Sequence, residues 1–226
     1  GKEQLSTRNG DPQISHSNRL LSYISETLDE AGMSLQDVDV FACASGPGSF
    51  TGIRIGLATL KALAATLERP CAGIPTLQAV AHAAGPSRAT VALLPAGRGE
   101  VFAQMFSVSE DYVVTELDAA AHLSPEMLVE KYRTFADLTW AGEGAQLQSD
   151  LFRNYALQQG IAFREAPADI GNEERGWKLA AKTGNLAKHV AALALQVFQS
   201  SKLQSPDALN AIYVRPSDAE LKEQCR

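Results

Sequence analysis

The 226-residue sequence predicts an α/β fold with a mixed sheet, and three observations carry that prediction. Short apolar runs alternate with segments whose apolar residues recur every three or four positions, the pattern of strands interleaved with helices. In the middle, Thr90 to Leu94 and Glu100 to Val108 flank the stretch Pro95-Ala-Gly-Arg-Gly99, an antiparallel hairpin by length and glycine content. Further upstream, Cys43-Ala-Ser-Gly-Pro-Gly-Ser-Phe-Thr-Gly52 runs from an apolar strand through a glycine turn straight into a helix.

Composition sets the outer bounds. A hydrophobic fraction of 45% with 20% charged residues is that of an ordinary globular protein, long enough for one large domain or two small ones. The net charge of -6 argues against a broad nucleic-acid-binding surface. Cys43, Cys71 and Cys225 are odd in number, far apart and without metal-ligand spacing, which predicts reduced thiols in a cytoplasmic protein. No apolar run approaches the roughly 20 residues that span a bilayer, and no secretory pattern is present.

Taken in order, Lys2 to Pro12 is polar and ends in the turn-like Asn9-Gly10-Asp11-Pro12. From Ser15, Leu20, Leu21, Ile24, Leu28 and Ala31 repeat at helical spacing until Gly32 closes the helix. Asp37 to Cys43 reads as the strand that enters the glycine turn, and Ser49 or Thr51 caps the next helix, Thr51 to Leu67. That helix has an unusual face distribution. Its charges, Arg54 and Lys61 with Glu68 just beyond, form one narrow stripe among Ile53, Ile55, Leu57, Leu60 and Leu63 and many small residues. A surface helix keeps a broad polar face, so this one is expected to be covered on two sides, by its own sheet and by either a second layer of the domain or a partner protein.

After Pro70, Cys71 to Ile74 is a short strand and Leu77 to Ala84 a small-residue helix that stops at Gly85-Pro86. Beyond the hairpin, Tyr112 to Leu117 adds a third antiparallel strand. Ser124-Pro125 opens a helix to Lys131. Leu138 to Ala141 is a strand ended by Gly142-Glu-Gly144, Gln146 to Gln159 a helix, and Ile161 to Arg164 a last strand. Asp169 to Gly184 is polar and lacks periodicity, with Gly171 to Gly176 a surface loop, and Leu186 to Phe198 is a final amphipathic helix before a charged tail.

The residues supply little catalytic chemistry. Gly46-x-Gly48-x-x-x-Gly52 is one residue too long for a dinucleotide fingerprint, and no Gly-Lys-Ser/Thr follows to make a Walker A loop. Backbone amides at a helix start can still hold an anion, so Gly46, Gly48, Ser49, Thr51 and Gly52 stand as a structural turn with a possible anion contact. His16, His82, His122 and His189 form no His-x-x-x-His or His-x-x-Glu pair, and no Gly-x-Ser-x-Gly elbow occurs. Cys43 falls at the buried end of a strand, where an inert thiol is the default. Arg98 and Glu100 lie at a loop tip.

The stretch Ser45-Gly-Pro-Gly-Ser-Phe-Thr-Gly-Ile-Arg-Ile-Gly56 closely resembles the signature of the TsaB family, bacterial proteins of tRNA threonylcarbamoyladenosine biosynthesis. His16-Ser17 with Leu20-Leu21, Arg98-Gly-Glu-Val-Phe102 and Tyr213-Val-Arg-Pro216 extend the resemblance, in order, over nearly the whole chain. It implies an actin-like ATPase fold of the sugar-kinase and heat-shock-protein type, with two related α/β lobes. These are expected at residues 1–90 and 91–226, with the last helix and tail packing back on the first lobe.

The resemblance also implies a role. TsaB is a degenerate relative of the catalytic subunit TsaD, and with TsaD and the ATPase TsaE it serves threonylcarbamoyl transfer to the adenosine beside the anticodon. TsaD holds its metal with a His-x-x-x-His pair on the first helix; here the matching spot reads His16-Ser-Asn-Arg-Leu20, so the second ligand is lost. The expectation is a chain with no catalytic residue, metal or cofactor of its own, ATP or ADP belonging to the complex with TsaD and TsaE, and tRNA met only indirectly. The family's partner surface, used for TsaD or for a second TsaB in a homodimer, is built from the first two helices. This places Leu20, Tyr23, Ile24, Thr27, Arg54, Leu57, Ala58 and Lys61 in or beside it.

There are departures. Family members carry an apolar strand with an aspartate and then a hairpin ahead of the region where this sequence starts. Ala96 stands where relatives have aspartate and Gly97 replaces the following alanine, and Asn172 to Gly184 reads as a variable insertion. The competing readings are an ATP-dependent small-molecule kinase of the same fold, a glycoprotease-like peptidase and a generic self-associating domain.

Overall fold

Helices and strands alternate along the chain and divide into two units in the computed structural model, which describes residues 3–10, 16–166 and 175–214, the side chains of 16–18 excepted. The first unit takes residues 1–75 together with 185–212, and the second takes 76–184 and the end of the chain from Tyr213. The division therefore falls at Pro75, not at residue 90. The reason is that the strand holding residue 90 begins at Ser87 and pairs along its length with the next one, drawing everything from Thr76 into the second unit.

In the first unit, α1 (His16–Glu30) leads through a 3-10 turn at Leu35–Asp37 to β1 (Phe41–Gly46), α2 (Phe50–Thr66) and β2 (Cys71–Pro75). β1 and β2 pair in parallel, and among the described residues β1 has no other strand neighbour. The strand expected at Asp37 starts four residues later. Asp37 is held in the 3-10 turn by Ser34, whose amide and hydroxyl both donate to its Oδ2 at 2.8 and 2.7 Å, and these bonds hold its carboxyl below the usual range. α2 packs on β1 through Ile53, Leu57, Leu60 and Ala64, which form one core with Cys71 and Leu209. Each of the isoleucine and leucine side chains contributes about 1.5–3 kcal/mol on burial. α7 (Ala187–Gln199) packs on β1 and β2 through Val190, Leu193 and Ala194.

The second unit opens with α3 (Thr76–Ala84) and continues as β3 (Ser87–Gly97), β4 (Glu100–Val108), β5 (Val114–Glu116), β6 (Ala121–Leu123), α4 (Pro125–Tyr132) and β7 (Leu138–Ala141). It ends with α5 (Glu143–Leu147), α6 (Ser149–Gln158), β8 (Phe163–Glu165) and β9 (Trp177–Leu179). The sheet order is β5-β4-β3-β7-β9-β8 with β6 also on β4; β3 and β4 are antiparallel, while β3, β7, β9 and β8 run parallel. The mixed sheet is thus present. The hairpin loop is only Arg98-Gly99, both at positive φ (54° and 82°) as a type I′ turn requires.

Two expectations give way here, and one strand is added. Trp177–Leu179, placed in the polar loop, is a strand hydrogen-bonded between β7 and β8, with Trp177 and Leu179 buried and Lys178 between them on the other face. The helix expected from Gln146 to Gln159 is two, because α5 runs against β3 while α6 turns at Gln148 to meet α4 and β8. β6 was not foreseen either. Most of the Gly171–Gly176 loop, half of the Asn9–Pro12 turn and the Arg215-Pro216 end of the last motif lie outside the described residues.

The second unit's core stacks Trp140 on Phe152 at 4.1 Å and sets Trp177 edge-on to Trp140 at 5.1 Å. On the sheet's other face His82 of α3 is 7% exposed, its ring 5.3 Å from that of Tyr112. Burial lowers the imidazole below its ordinary value, so the unfolded chain takes up a proton first as pH falls through about 6.5. The second unit is therefore expected to lose stability as pH falls through about 6.5, because the unfolded chain binds the proton more readily than the folded one. A His82→Gln chain followed by urea unfolding on both sides of that pH will show a flatter profile.

Candidate partner interface

α1 is a well-formed amphipathic helix without a single buried residue among residues 19–30. Leu20, Tyr23, Ile24, Thr27 and Leu28 are half-buried, and Leu21 is 64% exposed. A helix of this length is marginal by itself in water and needs an apolar face against something. Among the described elements that something is chiefly α2, and only lightly. The two helices border a depression of about 320 Å³ lined by Leu21, Ile24, Leu28, Met33, Leu35 and Leu63.

α2 shows why its charged stripe is narrow. One face carries the core residues, while Thr51, Arg54, Ala58, Ala62 and Ala65 are exposed and Lys61 half-buried. The second cover expected from the sequence is absent among the described residues, leaving a face of small side chains that another helix can approach closely. Arg54 sits over the Phe50 ring, its guanidinium carbon 3.7 Å from the ring centre, a cation–π contact at the start of this face. Arg19 sits over Tyr23 at 5.1 Å on α1, and Thr27 donates its hydroxyl to the Tyr23 carbonyl at 2.6 Å.

Seven of the eight residues expected at the interface therefore lie on α1 or the open side of α2. Leu57 does not. It is 6% exposed and belongs to the core under α2, because residues 53, 57, 60 and 64 share one helix face. Phe50, expected in the turn, and Leu21, Leu63 and Met33 around the depression border the same two helices outside the expected set. The periodicity of the first helix already contained Leu21, but nothing in it distinguished a residue facing solvent from one facing the core.

The glycine turn is built by packing. Gly46 has φ 115°, and a Cβ there would meet the Ile212 carbonyl oxygen at 2.3 Å; the Ile212 amide in turn donates to the Ser45 carbonyl at 2.7 Å. Gly48 follows Pro47 beside Ile53. Ser49 is the N-cap, its hydroxyl accepting the Gly52 amide at 3.3 Å, and Thr51 is already inside the helix. Cys43 is half-buried; burial first, then neighbouring Cys71, pushes its thiol up to about 11, so it stays protonated at neutral pH. Beside it, β1 and α7 line a cavity of about 980 Å³ with Val40, Ala42, Ala44, Val190, Ala194 and Phe198. On the hairpin, Glu100 lies 2.9 Å from His122. No three His, Cys, Asp or Glu side chains converge as a metal site among the described residues, and no helix there is long and apolar enough to cross a membrane.

Known proteins match over most of this architecture. The family described as TsaD, tRNA N6-adenosine threonylcarbamoyltransferase, matches residues 12–206. The tRNA threonylcarbamoyladenosine biosynthesis protein TsaB of Escherichia coli is 27% identical over 205 residues, 88% of this chain and 80% of that protein. Its Bacillus subtilis counterpart is 30% identical over 122 residues, 52% of this chain and 53% of that one. Among solved structures, YeaZ from Pseudomonas aeruginosa superposes with a TM-score of 0.66 at 24% identity, covering 89% of this chain and 85% of its own.

Proposed function

Because the chain belongs to the TsaB family, we propose that it is a non-catalytic subunit of tRNA threonylcarbamoyladenosine synthesis that works by binding a TsaD-type transferase. The observation that carries this is α1, an amphipathic helix with no buried residue among residues 19–30, set beside the open small-residue face of α2. Such a pair of helices fits a partner that brings two helices of its own, packed on Leu20, Tyr23, Ile24 and Thr27 from one side and Arg54, Ala58 and Lys61 from the other. A second copy occupies the same face when TsaD is absent.

The sequence supports the lack of chemistry, with Leu20 at the position of the second metal-binding histidine of the catalytic relatives. In this reading the two units are the two lobes of an actin-like ATPase fold, and any ATP or ADP is held in the complex with TsaD and TsaE. Substrate tRNA is engaged by the partner.

Co-purification with the cognate TsaD and TsaE, followed by tRNA modification with and without this chain, tests the reading. The expected result is a stable complex and modification that depends on the chain. Full modification in its absence would overturn it.

A further inference from the structure

The polar residues before α1, at positions 6–9, make a set of contacts out of proportion to their place at the surface. Arg8 spans two carboxylates one turn apart on α1, with Nη1 3.0 Å from Glu26 Oε2 and Nη2 3.0 Å from Glu30 Oε1. Ser6 donates its hydroxyl to the other Glu30 oxygen at 2.6 Å. From the opposite side, Asn185 Nδ2 lies 2.7 Å from Asn9 Oδ1, 3.2 Å from Thr7 Oγ1 and 3.3 Å from the Arg8 carbonyl oxygen. The same side chain's Oδ1 accepts the Ala187 amide at 2.7 Å, at the first turn of α7. One short segment thus ties the C-terminal half of α1 to the start of α7. α7 is anchored in the first unit by buried Val190, Leu193 and Ala194, whereas α1 has no buried residue between 19 and 30.

We propose that residues 6–9 are an electrostatic strap that controls whether α1 is held ready to dock. The physical case rests on the contrast between the two helices. α7 keeps its place by apolar burial, which salt does not weaken; α1 has only light packing on α2 and depends on Arg8. Arg8, Glu26 and Glu30 are all partly exposed, at 34%, 38% and 53% of their side chains, so their attraction is screened by salt. With the strap closed, α1 meets a partner already ordered; with it open, the partner must bear the cost of ordering a helix. The docking half of this inference rests on the TsaD-binding reading above; the strap itself does not.

Hydrogen exchange at the amides of residues 19–30 in the isolated chain tests the strap. Arg8→Gln is expected to speed exchange there roughly five- to tenfold at low salt, with α2 and α7 unchanged. Raising the salt should bring the unsubstituted chain towards the same rates, and Arg8→Glu combined with Glu26→Lys and Glu30→Lys should restore protection. Equal exchange with and without Arg8, or a rise spread evenly over α1, α2 and α7, would overturn the strap. The affinity for purified TsaD is then measured on the same chains. A several-fold loss in Arg8→Gln, reversed by the charge swap, supports the docking role, and unchanged affinity despite a loosened α1 overturns it. If the unsubstituted chain does not bind TsaD at all while the exchange results hold, the function reading fails and the strap stands.

Discussion

Leu57→Asp is expected to unfold the first unit, while Ala58→Asp, one residue further along the same helix, leaves it folded and weakens the proposed complex with TsaD at least thirtyfold. The two positions differ by about 100° around α2. Leu57 lies in the core formed with Ile53, Leu60, Ala64, Cys71 and Leu209. A carboxylate there has no partner and costs several kcal/mol, a large part of the 5–15 kcal/mol that holds a typical domain folded. Ala58 is exposed, so the same substitution costs the free chain roughly 0.5 kcal/mol. Against a docked helix it buries an unpaired charge, worth about 2–5 kcal/mol, or at least a thirtyfold weaker complex. Circular dichroism melts separate the two chains, and calorimetric titration with TsaD reads the second effect. Full-strength binding by Ala58→Asp would remove α2 from the interface.

The second large effect is expected at Gly142, where β7 turns into α5. Its φ is 96°, and an added Cβ would sit 2.3 Å from the Leu93 carbonyl oxygen and 2.8 Å from Val80 Cγ1. Neither obstacle can swing away. One is the backbone of a strand in the middle of the sheet, and the other is a packed side chain on α3. Strain from the left-handed backbone adds to the overlap, so Gly142→Ala is expected to cost about 3 kcal/mol or more in guanidinium unfolding of the second unit. Gly85 provides the control. It has φ 84° but open space around the same added atom, so Gly85→Ala carries only the backbone term, about 1 kcal/mol. Equal losses at the two sites would show that sterics at Gly142 are relieved by movement.

Much of this molecule was legible in the chain. α2, α3, the β3–β4 hairpin and α7 announce themselves through periodicity long enough to be unambiguous and through punctuation such as Ser49, Gly85-Pro86 and Arg98-Gly99. What escaped was short or settled by neighbours. β6 and β9 are three residues each and exist because adjacent strands supply hydrogen bonds on their edges, information that no window of three residues contains. The break at Gln148 depends on α5 and α6 packing on different elements. On the candidate interface, the excess of apolar residues on both helices was visible, but assigning Leu57 to it was an error of face. The residues at helical spacing that look most hydrophobic are those most strongly drawn to the core, so the open face of α2 is left to smaller ones such as Ala58 and Ala62, whose burial signal is weak.

The aromatic stack of the second unit also decides what light can report about this protein. Both tryptophans of the chain, Trp140 and Trp177, are fully buried in that one core, and Tyr23 on α1 is the first unit's sole tyrosine. Emission excited at 295 nm therefore belongs entirely to the second unit, and is blind to events on α1 and α2. An unfolding curve followed by that emission measures one unit only. A single tryptophan placed at Tyr23 would supply the missing voice, a chromophore at the candidate interface against a background whose own signal is already locked in the dry interior.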